Sequence, residues 1–418
     1  MLDISIIISL FLALCQSILE CSKKRNNNKG IGTARSIASP KVSATSPLSP
    51  ATKQEPCSTL INNNEKEEQP PSPIDLNREQ QISRVGGLSH EALCEWFECV
   101  MKYSIEREVM SFKNETNYES KRKWFQTFDK NPTLNRYERP KCYDYSRIIL
   151  KNRKNDYINA SWMVYENEKN ILAQGPLSNT ISDFWAMICQ EKAEYIVMFC
   201  SFIEKSVEQC AQYYPLEEGR VAKYEEFEVK NVRKEKDPVK GVVWTILEVT
   251  DSESKTTRTI NHVYVSWWPD KTTPEDAKLT IELYRWLSKK SSKFPKVYHC
   301  DSGVGRSACF LAIDIFLKIH QLLYDEIDNS KTTDRINSHV RNLRNGAIDS
   351  HLLHLFLLLC IFEYCNQEKA KITEEKEKSK YYYKWLDDYD NFVEDYQKCR
   401  RKLIKDPYLY YRNPSLSQ

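Results

Sequence analysis

The feature that most constrains this chain is an apolar strand that passes through a short loop with two glycines directly into a long apolar helix. The pattern predicts the strand at Lys296–Cys300 and the helix at Arg306–Tyr324, with Gly303 and Gly305 between them. Glycine makes up 10 of the 418 residues, roughly a third of its usual share of about 7%. Two glycines in one loop of such a chain indicate that the backbone approaches a bound group closely there.

A strand–loop–helix unit of this kind suits an anion. The N–H groups of the loop can converge on a negative charge at the positive end of the helix dipole. Cys300 begins the loop in the same field, so we expect a lowered pKa and a thiolate at neutral pH. Arg306, six residues later, is placed to bind two phosphate oxygens bidentately. The spacing therefore indicates a nucleophilic cysteine in a phosphate-binding loop.

The surrounding sequence predicts a mixed fold. Strand-like runs occur at Glu194–Cys200, Val242–Val249 and Thr259–Trp267, and helical runs at Asp334–Arg344 and Leu352–Tyr364. An earlier helix is predicted after an N-cap at Ser89, with an apolar face of Leu93, Trp96, Phe97, Val100 and Met101. We interpret residues 88–366 as one α/β or α+β domain without internal repeats.

The N-terminal residues 1–21 hold an apolar segment, Ile4–Leu19, followed by the basic residues Lys23, Lys24 and Arg25. As a helix rising ~1.5 Å per residue it is about 24 Å long, short of the ~30 Å hydrocarbon core of a bilayer. Its length suits a signal peptide, whereas the basic residues after it favour a short membrane anchor with the rest of the chain in the cytosol. A cleaved signal peptide, an anchor and a segment without a targeting role all remain open.

Two further segments flank the predicted domain. Residues 22–87 are rich in proline and serine and lack apolar periodicity, which predicts a disordered linker. Residues 367–418 form a charged, tyrosine-rich tail that is predicted to be helical. One face of this helix is apolar and should pack on the domain or on a partner: Tyr382, Trp385, Leu386, Tyr389, Val393, Tyr396 and Leu403.

Composition excludes some functions. Lys and Arg number 61 against 58 Asp and Glu, a net charge of +3, so a strong polyanion binder is excluded and no nucleic-acid partner is expected. The fourteen cysteines form no C-x-x-C pair and no zinc-type spacing with histidine. We therefore expect free thiols in a reducing compartment, with no metal and no other cofactor.

Several segments together resemble the classical protein tyrosine phosphatases. His299-Cys300-x5-Arg306-Ser307 resembles their signature loop, Trp268-Pro269-Asp270 their mobile acid loop, and Asn135–Tyr137 their phosphotyrosine-recognition loop. Other matching segments follow in family order: Asp156–Ser161, Gln174–Pro176, Phe184-Trp185, Glu204 and Cys210–Tyr213. The resemblance spans about Leu88 to Cys365 and implies a central, highly twisted mixed sheet flanked by helices.

The resemblance also implies a reaction, the hydrolysis of phosphotyrosine on proteins through a cysteinyl-phosphate and without a metal. Cys300 is the implied nucleophile, Asp270 the implied acid and base, and Arg306 the implied phosphate-binding residue. The implied catalytic set also contains Ser307, which would hydrogen-bond the thiolate, and His299. Tyr137 would stack on the substrate ring. The implied phosphate-binding loop comprises Asp301, Ser302, Gly303, Val304, Gly305 and Arg306.

Some positions depart from the family pattern. Asp301 places a carboxylate where a small neutral residue is usual, and Arg139 replaces an aspartate. Asp349 falls where a glutamine positions the hydrolytic water, and Leu353 replaces a second glutamine.

Two hypotheses follow from these matches and departures. The first is an active tyrosine phosphatase with a cytosol-facing domain, favoured by the retained Cys300, Arg306, Asp270 and Tyr137. The second is a phosphotyrosine-binding pseudophosphatase with little turnover. A membrane-associated scaffold that uses the tails is compatible with both.

Overall fold

The computed structural model describes residues 104–116, 122–165, 168–290, 292–323, 332–373 and 380–405. The predictions for the apolar segment, the linker and the helix after Ser89 lie outside the described residues. Those described up to Arg400 fall within one compact unit, Gln69–Arg400. Within the described ranges, no helix is both long enough and apolar enough to cross a membrane.

The core of the unit is a mixed sheet of nine strands. Their bounds are β1 (Arg147–Ile149), β2 (Tyr157–Tyr165), β3 (Glu168–Gln174), β4 (Tyr195–Met198), β7 (Val221–Tyr224), β8 (Phe227–Lys234), β9 (Val242–Asp251), β10 (Thr256–Val265) and β11 (Lys296–Cys300). The spatial order is β1-β2-β3-β11-β4-β10-β9-β8-β7. Strands β3, β11, β4 and β10 pair in parallel, and the outer strands pair antiparallel. A separate hairpin consists of β5 (Ile203–Glu204) and β6 (Val207–Glu208).

The helices cover the sheet. They are α1 (Ile105–Thr116), α2 (Gln126–Lys130), α3 (Ile181–Gln190), α4 (Ala277–Ser288), α5 (Arg306–Leu323), α6 (Thr332–Leu343), α7 (His351–Thr373) and α8 (Lys380–Lys405). Helix α5 is apolar through most of its length, and its described side chains are almost all buried. A helix that is apolar on all sides belongs in a core. The mixed sheet and the helices that flank it confirm the predicted fold.

Strand β11 occupies the middle of the sheet, between β3 and β4. Val297, Tyr298, His299 and Cys300 are all buried, because neighbouring strands and helices cover both faces. Ligands of open α/β sheets bind beyond the carboxyl ends of the parallel strands. The fold therefore brings the end of β11, and with it Cys300, to the edge where such sites lie.

Element boundaries agree with the sequence best where the apolar pattern is strongest. The strand at Lys296–Cys300 has the predicted bounds, and the predicted helix at Arg306–Tyr324 is observed over Arg306–Leu323. Helix α7 runs nine residues beyond its predicted end at Tyr364. The extension is stabilised by tertiary contacts, since Glu368 is buried and pairs with Arg285 at 2.5 Å.

Helix α8 packs on the domain with the predicted apolar face. Trp385 is buried, with its ring centroid 5.0 Å from that of Phe362 on α7. The Tyr382 hydroxyl donates to Glu363 Oε2 at 3.0 Å. The sequence left open whether the apolar face of this helix packs on the domain or on a partner. The structure shows it packed on the domain.

Candidate active site

The thiol of Cys300 lies fully buried at the carboxyl end of β11. Its sulfur accepts hydrogen bonds from the Gly303 N–H at 3.2 Å and the Ser307 hydroxyl at 3.3 Å. Donors aimed at sulfur favour the thiolate over the thiol. The loop and the first turn of α5 thus surround the atom that the sequence predicted as the nucleophile.

The two loop glycines are required for different steric reasons. Gly303 has φ of +73°, and a Cβ there would collide with the carbonyl of Ala173 on β3. A Cβ on Gly305 would lie 3.3 Å from Asp349 Oδ1 at the mouth of the cleft. The first glycine lets the loop cross over the sheet, and the second keeps the cleft open.

Arg344, the residue after α6, holds the loop from behind. Its guanidinium donates to the carbonyl oxygens of Ser302 at 3.0 Å and Gly303 at 3.2 Å. It also donates to Asn159 Oδ1 at 2.8 Å and Ser161 Oγ at 3.2 Å on β2. Because the C=O and N–H of one trans peptide point in opposite directions, carbonyls turned toward Arg344 leave the next N–H groups facing the cleft.

Arg306 begins α5 with its side chain almost completely buried, 3% exposed. Its guanidinium donates to Glu204 Oε1 at 2.7 Å and to the Trp268 carbonyl at 3.2 Å. The other oxygen of Glu204 accepts from the Asp270 N–H at 3.1 Å. One carboxylate on the β5–β6 hairpin thus connects the phosphate-binding loop with the acid loop.

The side chain of Asp301 turns into the site rather than outward. Its Oδ1 accepts from Arg306 Nη2 at 3.2 Å, and its Oδ2 accepts from the Tyr137 hydroxyl at 3.0 Å. Although burial acts to raise the pKa of Asp301, the Arg306 charge and these hydrogen bonds outweigh it and lower the pKa. An ionised carboxylate therefore lies beside the cation that the sequence predicted for phosphate.

The Asp301 carboxylate also affects the nucleophile. Burial and the Asp301 charge raise the pKa of the Cys300 thiol, against the opposing effects of Arg306 and the Ser307 hydrogen bond. The sequence-based expectation of a lowered pKa is therefore wrong for this arrangement. The reasons are the complete burial of the thiol and, after it, the inward carboxylate of Asp301, and the loop sequence alone determines neither.

Asp270 approaches the same guanidinium, with 3.8 Å between its Oδ1 and Arg306 Nη2. Burial, followed by the negative charges of Asp301 and Glu204, raises the pKa of Asp270. The indole N–H of the buried Trp268 donates to the Thr272 carbonyl at 3.0 Å and braces the acid loop. A carboxyl with a raised pKa next to a bound phosphate is suited to donate a proton.

Tyr137 stands at the rim, 39% exposed, on a loop fixed to the carboxyl end of β3. The neighbouring Arg136 N–H donates to Gln174 Oε1 at 3.0 Å, and the Arg136 guanidinium donates to the Pro176 carbonyl at 2.8 Å. Arg139, further along the loop, is exposed. The phenol ring of Tyr137 is thus placed on a braced loop, next to Asp301 and within reach of a ligand.

The side chain of His299 is buried beneath the loop and does not reach the cleft. Its Nε2 lies 2.8 Å from the Tyr213 hydroxyl, which in turn lies 2.7 Å from His262 Nε2. Burial lowers the pKa of His299 to about 4, so its imidazole is neutral at physiological pH. Val304 is also buried, and its carbonyl accepts from the Ile348 N–H at 2.7 Å.

Asp349 lies at the mouth of the cleft beside Gly305. The residue is open to the cleft, yet protein surrounds its carboxylate closely enough that desolvation, with the charges of Asp301 and Asp270, raises its pKa to about 6. The carboxylate is therefore mostly ionised at neutral pH. Leu353 lines the same cleft as an apolar wall.

The described part of the chain contains one His/Cys group with ligand atoms close enough for a metal ion. Cys200, Cys210 and His299 offer ligand atoms within 4.8 Å of one another, and all three are buried. The His299 Nε2 already has the Tyr213 hydroxyl as a partner. The eight cysteines whose side chains the structure describes are all free thiols.

Comparison with known proteins identifies the family. A family model described as protein-tyrosine phosphatase matches residues 131–363, more than half of the chain. The chain belongs to the protein-tyrosine phosphatase family.

Curated relatives agree with this assignment. The tyrosine-protein phosphatase non-receptor type 2 of Rattus norvegicus is 36% identical over 257 residues, 60% of this chain and 60% of that protein. The receptor-type tyrosine-protein phosphatase C of Homo sapiens is 36% identical over 197 residues, 45% of this chain and 15% of that protein. The chain thus spans three-fifths or less of the length of these relatives.

The phosphatase fold brings most of the predicted site residues together and adds others that the sequence did not single out. Asp270, Asp301 and Arg306 line one cleft, with Asp349 at its mouth. Cys300 lies buried at the start of the loop that lines this cleft. The sequence analysis does not single out Arg344 as a support of the loop, and the only local signal is an arginine between the end of a predicted helix and Gly346. Tyr396 on α8 was assigned to a packing face, yet it lines the cleft.

Proposed function

We propose that this protein hydrolyses phosphotyrosine in other proteins through a cysteinyl-phosphate intermediate. The observation that carries the proposal is that the Asp270 carboxylate lies 3.8 Å from Arg306, at the end of the loop whose N–H and hydroxyl donors contact the Cys300 sulfur. A nucleophile, a phosphate-binding cation and a proton donor are the groups that cleavage of a phosphate ester requires.

In the first proposed step, the Cys300 thiolate forms a bond to phosphorus while the bond from phosphorus to the phenolic oxygen breaks. Before attack the thiol proton passes to solvent, and the Gly303 and Ser307 hydrogen bonds stabilise the sulfur anion against the burial and the Asp301 charge that raise the pKa of the thiol. Arg306 and the inward N–H groups of the loop hold the non-bridging oxygens. Asp270, whose raised pKa favours its protonated form, donates its proton to the leaving phenolate.

In the second step, a water oxygen attacks phosphorus and the sulfur–phosphorus bond breaks. The Asp270 carboxylate accepts the water proton, which restores its protonated form, and inorganic phosphate leaves. We assign water positioning to Asp349, because its carboxylate lies at the cleft mouth beside Gly305. Tyr137 is assigned to the substrate ring, because its loop brings an exposed phenol ring to the same rim.

A second candidate function is phosphotyrosine binding with little turnover. It is favoured by Asp301, which occupies an edge of the Arg306 guanidinium, and by the second carboxylate at Asp349. Both negative charges oppose a bound dianion. The hydrogen bond from Tyr137 and the ion pair with Arg306 offset part of that effect by neutralising Asp301 locally.

Steady-state hydrolysis of a phosphotyrosyl peptide by the purified protein distinguishes the two functions. We expect continuous phosphate release, which Cys300→Ser abolishes while peptide binding persists. Release of one equivalent of dephosphorylated peptide followed by no further turnover would instead establish the binding module. In that case Asp349→Gln should restore turnover if the Asp349 charge is the obstacle.

We further propose phosphotyrosine-containing proteins as partners and a catalytic domain, residues 88–366, that faces the cytosol. A nucleophilic thiol persists best in a reducing compartment. An N-terminal anchor at residues 4–19 is proposed as the link to a membrane. Protease protection of the full chain with and without detergent tests this topology: a domain digested on intact membranes supports it, and a protected domain contradicts it.

A further inference from the structure

Helix α8 contributes a side chain to the catalytic cleft. The cleft encloses a cavity of about 180 Å³ whose lining includes Asp270, Arg306, Asp349 and, from α8, Tyr396. This helix lies beyond residues 131–363, to which the family model extends. The family match therefore assigns no role to Tyr396.

A direct bond ties α8 to the acid loop. The Tyr389 hydroxyl lies 2.8 Å from Thr273 Oγ1, and both residues are buried. The rings of Trp385 and Tyr389 are nearly parallel, with 12° between their planes and 5.8 Å between centroids. These contacts fix the middle of α8 next to the loop that carries Asp270.

Beyond Tyr389, helix α8 continues toward the cleft. Tyr396 follows Tyr389 by seven residues, close to two helical turns, so both side chains lie on the same face. Tyr389 is buried in the helix–domain interface, whereas Tyr396 is half-buried and shares the cavity with Lys271 and Leu353. An aromatic ring that lines a cavity and keeps solvent access is typical of a ligand-contacting residue.

We propose that α8 forms a wall of the substrate cleft and that the ring of Tyr396 contacts the aromatic ring of the bound phosphotyrosyl residue. The inference rests on the proposed phosphatase function. The phosphate group occupies the loop at Cys300, and the phenyl group extends from it into the cavity that Tyr396 lines. Tyr137 then contacts the substrate from the recognition loop and Tyr396 from α8. Aromatic pairs of this kind contribute about 0.5–1.5 kcal/mol beyond burial.

The test compares ligands with and without an aromatic ring. For Tyr396→Ala we expect the KM of p-nitrophenyl phosphate and of a phosphotyrosyl peptide to rise about three- to tenfold. The inhibition constant of inorganic phosphate, which has no ring, should stay within about twofold. Tyr396→Phe should restore both KM values, because it keeps the ring. Tyr383→Ala, at an exposed tyrosine of the same helix, is the matched control and should have no effect.

Three outcomes would overturn the inference. An unchanged KM would show that the ring makes no contact with substrate, and a lower KM would show that it blocks the cleft. A parallel rise in KM and in the phosphate inhibition constant would show that the substitution disturbs the phosphate-binding loop.

Failure of the proposed function is separately visible as a wild-type protein that does not turn over p-nitrophenyl phosphate. In that case the contact of Tyr396 with the substrate ring is tested by binding. The Kd of a phosphotyrosyl peptide and the Kd of inorganic phosphate are both measured in the Cys300→Ser protein. There Tyr396→Ala should raise only the peptide Kd, and an unchanged peptide Kd would overturn the inference.

Discussion

The two sides of the cleft are held in place by different means. The phosphate-binding loop is stabilised through its backbone, by the central strand β11, by α5 and by the buried fork of Arg344. The acid loop is stabilised mostly through side chains: Trp268, Glu204 and, from α8, Tyr389. Groups that stabilise transition-state charge must be preorganised, whereas an acid carried on a loop only has to arrive in position. In the proposed mechanism, the fold thus places rigidity where charge develops and adjustable contacts where a proton moves.

The largest expected effect tests the acid side. Asp270→Asn removes the proton donor but leaves the phosphate-binding loop intact, so kcat should fall about 10²- to 10⁴-fold with little change in KM. The fall in kcat at high pH, which reports deprotonation of the raised-pKa carboxyl, should also disappear. Asp237→Asn, at an exposed aspartate, is the control. A kcat within a few-fold of wild type would remove Asp270 from the proposed mechanism.

The phosphate side is tested by Arg344→Lys. Lysine keeps the charge but loses the planar fork that binds two loop carbonyls and β2, so the N–H groups of the loop lose their fixed direction. We expect the inhibition constant of inorganic phosphate to rise about tenfold or more, and the free energy of unfolding to fall by about 2–4 kcal/mol. Arg335→Lys, exposed on the same helix, should be neutral. Unchanged phosphate binding would contradict the role given to Arg344.

The contact between α8 and the acid loop is tested by Tyr389→Phe. Without the hydroxyl the Thr273 bond is lost, the acid loop is less well positioned, and kcat should fall about two- to fivefold. The inhibition constant of inorganic phosphate should change little, because the lost bond is to Thr273 while the bonds of Glu204 and Arg344 to the phosphate-binding side remain. Thr273→Val should have the same effect, and the double variant should add nothing further. Additive effects would show that the two residues act independently.

An equally small effect, confined to one pH range, is electrostatic and comes from Asp349→Asn. With a pKa of about 6, Asp349 is ionised at pH 7.5 and mostly protonated below pH 5.5. Its negative charge opposes the phosphate dianion only at the higher pH. The variant should therefore raise kcat/KM about two- to fivefold at pH 7.5 and change it little at pH 5.5. An equal change at both pH values would rule out charge as the cause.

From the residues alone the sequence predicts the contiguous part of the site, and the family resemblance adds Asp270, Tyr137 and Asp349 from distant segments. Cys300, Gly303, Gly305 and Arg306 lie within a few residues, and the strand and helix that flank them show clear periodicity. The remaining contributors come from distant segments: Arg344 and Tyr396 reach the site only through tertiary packing. No local pattern determines such approaches, although the amphipathic face of α8 indicates that it packs on something.

The orientation of Asp301 shows a second limit of the sequence. Its position predicts a carboxylate near the phosphate, but only the positions of Arg306 and Tyr137 turn that side chain inward. The pKa of Cys300 depends on this choice, since the inward charge raises it. A local motif therefore predicts which groups meet but not their electrostatic balance.

The buried chain His299–Tyr213–His262 has a consequence for the whole domain. Burial lowers the pKa of both imidazoles, that of His299 from 6.5 to about 4, so each is neutral in the folded protein. The unfolded chain binds more protons below pH 6.5, and acidification therefore draws the equilibrium toward unfolding. The stabilisation from neutral His299 is complete above pH 6.5, and between pH 6.5 and 4 it declines by about 3 kcal/mol. The strand that carries Cys300 thus also carries the histidine through which acid destabilises the fold.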